Sequence, residues 1–255
     1  MAQTAGTADT AAGTAPAPDP APDLGPAEVF AALARSLAEL GGVSPTLQEV
    51  VTRALDIVPC DWAAAAAADH LTDRPARHSA GTDDELMQTI ADIAGHTRTS
   101  PGWDAFANGC MVYAADLTRE CRFGEYPQEM VARTPVRSVL SFGLRLHDRA
   151  LGVLTFYARS ANAFDSDARA RAALLADHAT IAIEAATVAD RAENLRSALD
   201  SNRLIGAAVG VLVERHKCSP EQAFDLLRVV SQRTNRRLAD LAEELVRTGK
   251  VSKTG

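Results

Sequence analysis

Residues 203–224 read RLIGAAVGVLVERHKCSPEQAF, and this stretch decides the fold of the C-terminal end. It begins as an apolar helix whose small residues permit close packing, and that helix ends in a basic turn at Arg215-His216-Lys217. Ser219 then offers an N-cap hydroxyl, Pro220 suits the first helical position, and Gln222 can return the cap. The pattern predicts a sharp turn from one helix into the next.

Two amphipathic helices are predicted after this turn. The inner face of the first helix is predicted to consist of Ala223, Phe224, Leu227 and Val230. Thr234-Asn235 forms a good local cap for the second helix, whose predicted inner stripe is Leu238, Leu241, Ala242 and Leu245. Gly249 stands where a left-handed C-cap is expected. Together the three helices predict one small bundle.

The bundle is basic, whereas the rest of the chain is acidic. Residues 201–255 hold ten Lys and Arg against six Asp and Glu, which leaves +4 in a chain of net charge −7. Residues 1–200 therefore hold −11. A positive end on a negative body is the charge asymmetry expected of a protein that meets nucleic acid through one end.

The bundle resembles the ANTAR domain, an RNA-binding output module of bacterial transcription antitermination regulators. The resemblance is carried by Arg203 to Gly206, Ala208, Gly210, Leu212, Glu214-Arg215, Ser219 to Phe224, Leu227-Arg228, Ser231, Asn235, Leu238, Ala242 and Val246. Many relatives have Gln and then Ala-Lys between the two glycines, where this chain has Ala207-Ala208-Val209. This chain therefore lacks a lysine that is a candidate for a phosphate or base contact in those relatives. The resemblance implies stem-loop RNA as a partner.

Candidate RNA-binding residues are basic or polar and lie near helix ends. Arg236 and Arg237 fall at the start of the last helix, where free N–H groups and the helix dipole attract phosphate. Since Phe224 is expected to face inward, arginine planes and hydrogen bonds must read the bases. Taken singly, each arginine also fits an ordinary solvated charge. The full set is Arg203, Arg215, Lys217, Arg228, Ser231, Gln232, Asn235, Arg236 and Arg237.

Between Pro26 and Ala186 the sequence alternates between helix and strand patterns. The clearest element is a hairpin of two β-rich runs joined by a turn at 147–150. An alanine-rich run, Asp61–Ala68, fits a buried strand better than a helix. The other predicted elements are helices at 27–40, 44–58, 83–94, 125–133 and from 167 onward, and a strand at 110–114. This order predicts an α+β sensor-like domain with an antiparallel sheet flanked by helices.

This domain is similar to the GAF family. The similarity is carried by Asp116-Leu117, Arg137 to Ser141, Leu151 to Tyr157, Phe164, Asp167 and Leu175 to Ile183. It implies an input domain that binds an unidentified small ligand or protein, or that signals through its terminal helices. GAF followed by ANTAR is a familiar order in actinobacterial regulators. Five aromatic residues either line a ligand pocket or pack in the core: Trp62, Trp103, Phe106, Tyr113 and Phe142.

A heptad seam joins the two domains. Its apolar positions alternate spacings of four and three, and they are Ile181, Ala185, Val188, Ala192, Leu195, Leu199 and Asn202, continuing to Gly206, Val209 and Val213. A continuous helix over 167–214 would be ~70 Å long and rarely stable as a lone strand. We expect it to pair in a homodimer, with Asn202 favouring one register and two strands. The alternative is packing against the chain's own helix at 27–40.

Composition bounds the remaining possibilities. Residues 1–25 are predicted to be a disordered tail, because their Ala, Thr, Gly, Pro and Asp residues bury little surface. We expect no secretory signal, no membrane span and no cofactor or metal. The cysteines, which lack metal-ligand spacing, are predicted to be free thiols in a cytoplasmic protein: Cys60, Cys110, Cys121 and Cys218. No catalytic motif indicates an enzyme.

The predicted domains are a tail at 1–25, a GAF-like sensor at 26–185, a coiled-coil connector at 186–202, an ANTAR-like RNA-binding domain at 203–250 and a flexible end at 251–255. The predicted function is signal-responsive transcription regulation, in which the C-terminal domain binds hairpin RNA and promotes antitermination. The sensor domain would supply input and dimerisation. The alternative is a GAF-linked DNA-binding regulator, which Asp240, Glu243 and Glu244 on the outer side of the last helix oppose.

Overall fold

The structure is a computed structural model that describes residues 26–69 and 74–250. The two predicted flexible ends, 1–25 and 251–255, lie outside these ranges. Within them the chain forms α1 (Pro26–Glu39), α2 (Val43–Ile57), β1 (Trp62–Asp69), β2 (Arg74–Gly81), α3 (Asp84–Thr97), α4 (Pro101–Asn108), β3 (Met111–Ala114), α5 (Tyr126–Arg133), β4 (Ser138–Leu146), β5 (Arg149–Ala158), α6 (Ser166–His216), α7 (Pro220–Thr234) and α8 (Leu238–Thr248).

The five strands form one antiparallel sheet in the order β2-β1-β5-β4-β3. The predicted hairpin is confirmed as β4 and β5, which pair from Ser138 with Ala158 to Leu146 with Arg149. Its turn is tighter than expected, since only His147 and Asp148 separate the strands and His147 has φ 54°. The alanine-rich run forms β1, so the prediction of a strand there is confirmed.

Helices cover both faces of the sheet. On one face, α2 and the first half of α6 bury a core that includes Leu47, Phe156 and Leu175. On the other face, α3, α4 and α5 cover a second core around Ile93, Tyr126 and Val139. The predicted α+β architecture, an antiparallel sheet flanked by helices, is therefore confirmed.

Two elements were absent from the predicted order. The edge strand β2 has the sequence RPARHSAG, which lacks apolar alternation and contains the proline that edge strands tolerate. The helix α4 carries the same Ser-Pro start as the helix after Ser219. The Ser100 hydroxyl accepts a hydrogen bond from Trp103 N–H, and Gly109 ends the helix at φ 62°. The sequence signal for α4 was present, whereas β2 has none.

The helix α6 is continuous over 51 residues, as predicted, and is about 76 Å long at 1.5 Å per residue. Every side chain from 191 to 200 is exposed, so the middle of α6 runs through solvent in a single chain. By length and mean hydropathy (1.3) this helix could also cross a membrane, with 39% of that window buried. Ala172, Leu175 and Ala179 pack against the sheet and α2, which is the position of a core helix.

The helix α2 has no cap of its own and takes one from α6. Its N-cap residue is Gly42, at φ 90°, and Asp190 Oδ2 on α6 accepts a hydrogen bond of 3.2 Å from Val43 N–H.

We expect Asp190→Ala to lower the free energy of unfolding by about 1 kcal/mol, because it removes this cap. Asp190→Asn, which keeps a side-chain oxygen, should retain most of the parent stability. Chemical denaturation measures the difference. Asp200→Ala removes the same charge from the exposed part of α6, and a loss of equal size there would contradict the capping role.

The end of α6 packs with α7 and α8 into the predicted bundle around Ala208, Leu212, Leu227 and Leu245. The predicted capping box is confirmed, because Ser219 Oγ and the Gln222 side chain each bond the other's backbone N–H. Gly249 adopts the expected left-handed conformation at φ 68°.

Two local predictions in the bundle were wrong. Asn235 ends α7 as a left-handed C-cap at φ 49°, and Arg237 is the N-cap of α8. Phe224 does not face inward but is 40% exposed. Ala223 and Leu227 occupy the core, and Phe224 follows Ala223 by about 100° of helical turn, which places it at the edge of the buried face.

Candidate nucleic-acid interface and sensor cavity

The helix α7 presents a row of aromatic and polar side chains to solvent. Phe224, Arg228, Gln232 and Asn235 follow one another at spacings of four, four and three residues, so they share one face of the helix. All four are exposed. We call this row the α7 strip. It combines a flat aromatic ring, a guanidinium and two amides, which are the groups that stack on and hydrogen-bond with unpaired bases.

Four of the predicted RNA-binding residues already have side-chain partners: Lys217, Arg228, Ser231 and Arg236. Arg228 pairs with Asp225 at 2.9 Å, and Lys217 pairs with Glu214, both on the surface. Such exposed pairs contribute little, about 0–1 kcal/mol, so both cations remain available to a phosphate. The Ser231 hydroxyl donates a 2.6 Å hydrogen bond to the backbone carbonyl of Arg236. Ser231 therefore shapes the turn between α7 and α8.

Arg236 is tied into the bundle. Its guanidinium lies 2.8 Å from Glu244 Oε2, with the two side chains 32% and 14% exposed. Glu244 thus turns toward the bundle, which corrects its predicted position on the outer side of α8. Asp240 and Glu243 are exposed, as expected. Arg236 acts first as a structural residue that fixes the start of α8.

Arg237 is exposed and stands at the N-cap of α8, where no side chain caps the helix. The first N–H groups of α8 and the positive end of its dipole therefore lie close to an exposed guanidinium. This combination favours a phosphate or another anion. Arg237 lies two residues after Asn235, so the α7 strip leads into this end of α8.

The remaining predicted residues fall into two separate groups. Arg215 lies near the C-terminal end of α8, with Nη2 3.6 Å from the position a Cβ of Gly249 would take. Arg215 and Lys217 lie at the N-terminal end of α7, whereas Asn235 and Arg237 lie at its C-terminal end. A helix of 15 residues spans about 22 Å. Arg203 is exposed on α6. The structure therefore spreads the predicted residues along α7 and onto α6 and does not bring them together in one cluster.

The predicted dimer seam is exposed in the single chain. All seven positions from Ile181 to Asn202 are accessible to solvent, and Ile181, Val188, Leu195 and Leu199 are 66%, 53%, 63% and 62% exposed. The first helix, α1, does not cover the seam, which removes the alternative of intramolecular packing. It approaches α6 at His178, whose ring lies 5.2 Å from that of Phe30.

The apolar row differs from the predicted seam at both ends. Leu174, seven residues before Ile181, is 48% exposed and extends the row by one heptad. The same heptad spacing, continued toward the N-terminus, predicts Leu174 as a member of the row. At the other end, Val209 and Val213 pack against the core of the C-terminal bundle. The part of the row open to a second chain therefore runs from Leu174 to Asn202.

A cavity of about 980 Å³ lies between the sheet and the helices α3 and α4. Of the five aromatic residues considered for a pocket, Trp103 and Phe106 line it, with ring centroids 5.9 Å apart. Trp62 packs in the core beneath the Arg159 guanidinium, 4.3 Å from its ring. Tyr113 packs edge-on against Phe164, and Phe142 against Phe156.

Residues 44–184 match the GAF domain family. The chain belongs to the GAF family. Residues 193–246 match the ANTAR domain, so this is a GAF–ANTAR protein whose helix α6 runs from one domain into the other. GAF and ANTAR are sensor and regulatory domains rather than catalytic ones. No curated protein matches the GAF–ANTAR chain.

Solved structures share the fold of the sensor domain. The GAF domain of a phosphoenolpyruvate-protein phosphotransferase from Coxiella burnetii is 14% identical, with a TM-score of 0.50 over 64% of this chain and 95% of that one. The N-acylhomoserine lactone dependent LuxR family factor CepR2 from Burkholderia cenocepacia is 14% identical, with a TM-score of 0.51 over 64% and 98%. At this identity the likeness concerns the fold alone.

Proposed function

We propose that this GAF–ANTAR protein is a cytoplasmic, signal-responsive transcription regulator that binds hairpin RNA and promotes antitermination. The observation that carries the proposal is the match of residues 193–246 to the ANTAR domain. The basic charge of the C-terminal residues and the exposed α7 strip support it. The acidic sensor domain repels RNA, which directs the transcript to the bundle.

The α7 strip supplies the chemistry for reading a loop. The Phe224 ring offers a face on which one unpaired base can stack, while Gln232 and Asn235 offer amide hydrogen bonds to base edges. Arg237 and the uncapped N-terminus of α8 hold the phosphates beside that loop. Asp240 and Glu243, on the outer side of α8, oppose insertion of this helix into a DNA major groove.

Two copies of the chain would cooperate on one transcript. Pairing through the row from Leu174 to Asn202 buries apolar side chains that a single chain leaves in water. A dimer then carries two bundles, and a transcript with two hairpins binds the second one intramolecularly. A signal at the sensor domain changes transcription when it favours one arrangement of the paired helices over another.

A hairpin-binding assay tests the RNA site. We expect Phe224→Leu, which keeps an apolar side chain but removes the aromatic face, to weaken binding of a stem-loop RNA by about 5- to 100-fold. Arg237→Ala is expected to weaken binding and to lower the salt dependence by roughly one phosphate contact. Both are measured by gel shift and salt titration with the full chain, and circular dichroism reports folding.

The control is Arg247→Ala, which removes an exposed arginine from the last turn of α8, away from the strip. It should leave the affinity within about twofold of the parent. Duplex DNA of the same stem sequence is tested alongside. Equal binding of the DNA duplex, or undiminished RNA binding by both Phe224→Leu and Arg237→Ala, would exclude the proposed mode of recognition.

A further inference from the structure

The sensor cavity owes its volume to alanines in a strand. Ala64, Ala66 and Ala68 of β1 are half-buried and border the cavity, while Ala63, Ala65 and Ala67 face the opposite core. Strands at such positions usually carry larger β-branched or aromatic side chains. Three small side chains in a row therefore leave space where a core would otherwise be filled. Val153 and Ser79, which flank Ala66 in register, complete this floor.

The opposite wall is apolar and partly aromatic. The helix α3 contributes Met87 and Ile90, and α4 contributes the neighbouring rings of Trp103 and Phe106. Trp103 is 46% exposed, although it is the largest side chain in the wall. An apolar wall with a half-exposed indole suits a flat ligand that covers the rings.

Charge is scarce in this lining. Of the described residues that border the cavity, Asp84 and Arg98 are the charged ones, and both are exposed. They stand just inside the start and just past the end of α3, a helix of 14 residues that spans about 21 Å. An ionised group held deep in the cavity would lose its hydration without gaining a counter-charge, which is costly.

Hydroxyl groups supply the polarity instead. Ser100, Tyr126, Thr155 and Tyr157 all border the cavity and are all buried. Burial raises the pKa of Tyr126 and of Tyr157 above the ordinary value, so both phenols stay protonated at neutral pH. The Tyr126 hydroxyl makes no hydrogen bond with another described residue, and its oxygen is not among the sealed side-chain atoms that lack a partner, so it remains accessible from the cavity. A buried phenol in that position favours a ligand acceptor such as a carbonyl or hydroxyl oxygen.

We propose that this cavity binds an uncharged, largely aromatic small molecule that carries a carbonyl or hydroxyl group. The ring system lies between the alanine floor and the wall of Trp103 and Phe106, and its oxygen accepts from Tyr126. Anionic ligands such as cyclic nucleotides do not fit, because none of the described residues supplies a buried cation for a phosphate in the lining. This inference rests on the proposed function in one respect only, which is that the sensor domain receives the signal.

A matched pair of probes tests the charge requirement. 2-Naphthamide and 2-naphthoate share one ring system, and only the second is charged at pH 7.5. Calorimetric titration of the full chain should show the amide binding at least about tenfold more tightly. Tyr126→Phe should weaken the amide by roughly three- to tenfold. Tighter or equal binding of the carboxylate, or no detectable binding of the amide, would overturn the proposal.

Filling the cavity tests its location. Ala66→Phe places a ring on the floor and should abolish amide binding, while Ala66→Leu should weaken it with the fold retained by circular dichroism. Ala132→Leu, an exposed alanine on α5 that lies outside the cavity, is the control. Normal amide binding by a folded Ala66→Leu protein contradicts the site. Hairpin RNA binding, measured on the same samples, reports separately on the proposed regulatory function.

Discussion

Replacing Leu195 and Leu199 with aspartate is expected to convert the protein from a dimer into a monomer. Both side chains are more than 60% exposed in the single chain and lie in the middle of the exposed part of α6. In a two-stranded pairing, the dimer buries four of these leucines, at about 2 kcal/mol each. Aspartate removes that contribution and adds charges that repel across the seam.

The expected change is a weakening of dimerisation by at least about a thousandfold, or ~4 kcal/mol, measured by analytical ultracentrifugation over a concentration series. Binding of a transcript with two hairpins should fall with it, while binding of one hairpin changes little. Ser197→Asp adds the same charge on the opposite side of the helix and should leave the dimer intact. A parent protein that sediments as a monomer at all concentrations would rule out the seam.

The second large effect is expected from Gly143→Ala. A Cβ at this position would lie 2.0 Å from the carbonyl oxygen of Ala105, a backbone atom near the end of α4. Backbone cannot move aside as a flexible side chain can, so β4 and α4 must separate. We expect the sensor domain to lose about 3 kcal/mol or more of unfolding free energy, which lowers its melting temperature by roughly 6–12 °C.

Gly95→Ala provides the matched control for this substitution. Gly95 lies in α3, and a Cβ there would meet nothing within 4 Å. Because alanine favours helix more than glycine does, this change should stabilise the domain by about 1 kcal/mol. Differential scanning calorimetry separates the two outcomes. A Gly143→Ala protein that melts at the parent temperature would show that α4 does not pack on β4 as described.

Local and periodic signals predicted most of the fold. The capping box at Ser219 located the turn between two helices, and the run of β-rich residues on either side of His147 located the hairpin. The heptad spacing from Ile181 to Asn202 predicted a continuous helix with an exposed apolar row, both of which the structure shows. Each of these signals depends on neighbours only a few residues apart, so tertiary packing does not mask it.

The features that sequence did not reveal depend on contacts between distant segments. The edge strand β2 forms by pairing with β1, and its own residues carry no alternation. The cavity exists because small residues of β1 face α3 and α4 across the domain, a juxtaposition that no local pattern encodes. The exposure of Phe224 was missed because it sits at the margin of the buried face, where α6 and α8 decide what is covered.

No other described segment packs against α6 from residue 191 to residue 200, since every side chain there is exposed. At this level α6 is the only segment, among the described residues, that links the sensor domain to the C-terminal bundle. A change in the sensor domain can then reach the bundle by sliding, twisting or tilting of α6 as a whole. In the proposed dimer, such a movement is defined relative to the α6 helix of the second chain. Under the proposed pairing, a signal would therefore pass as a movement of one α6 helix relative to its partner.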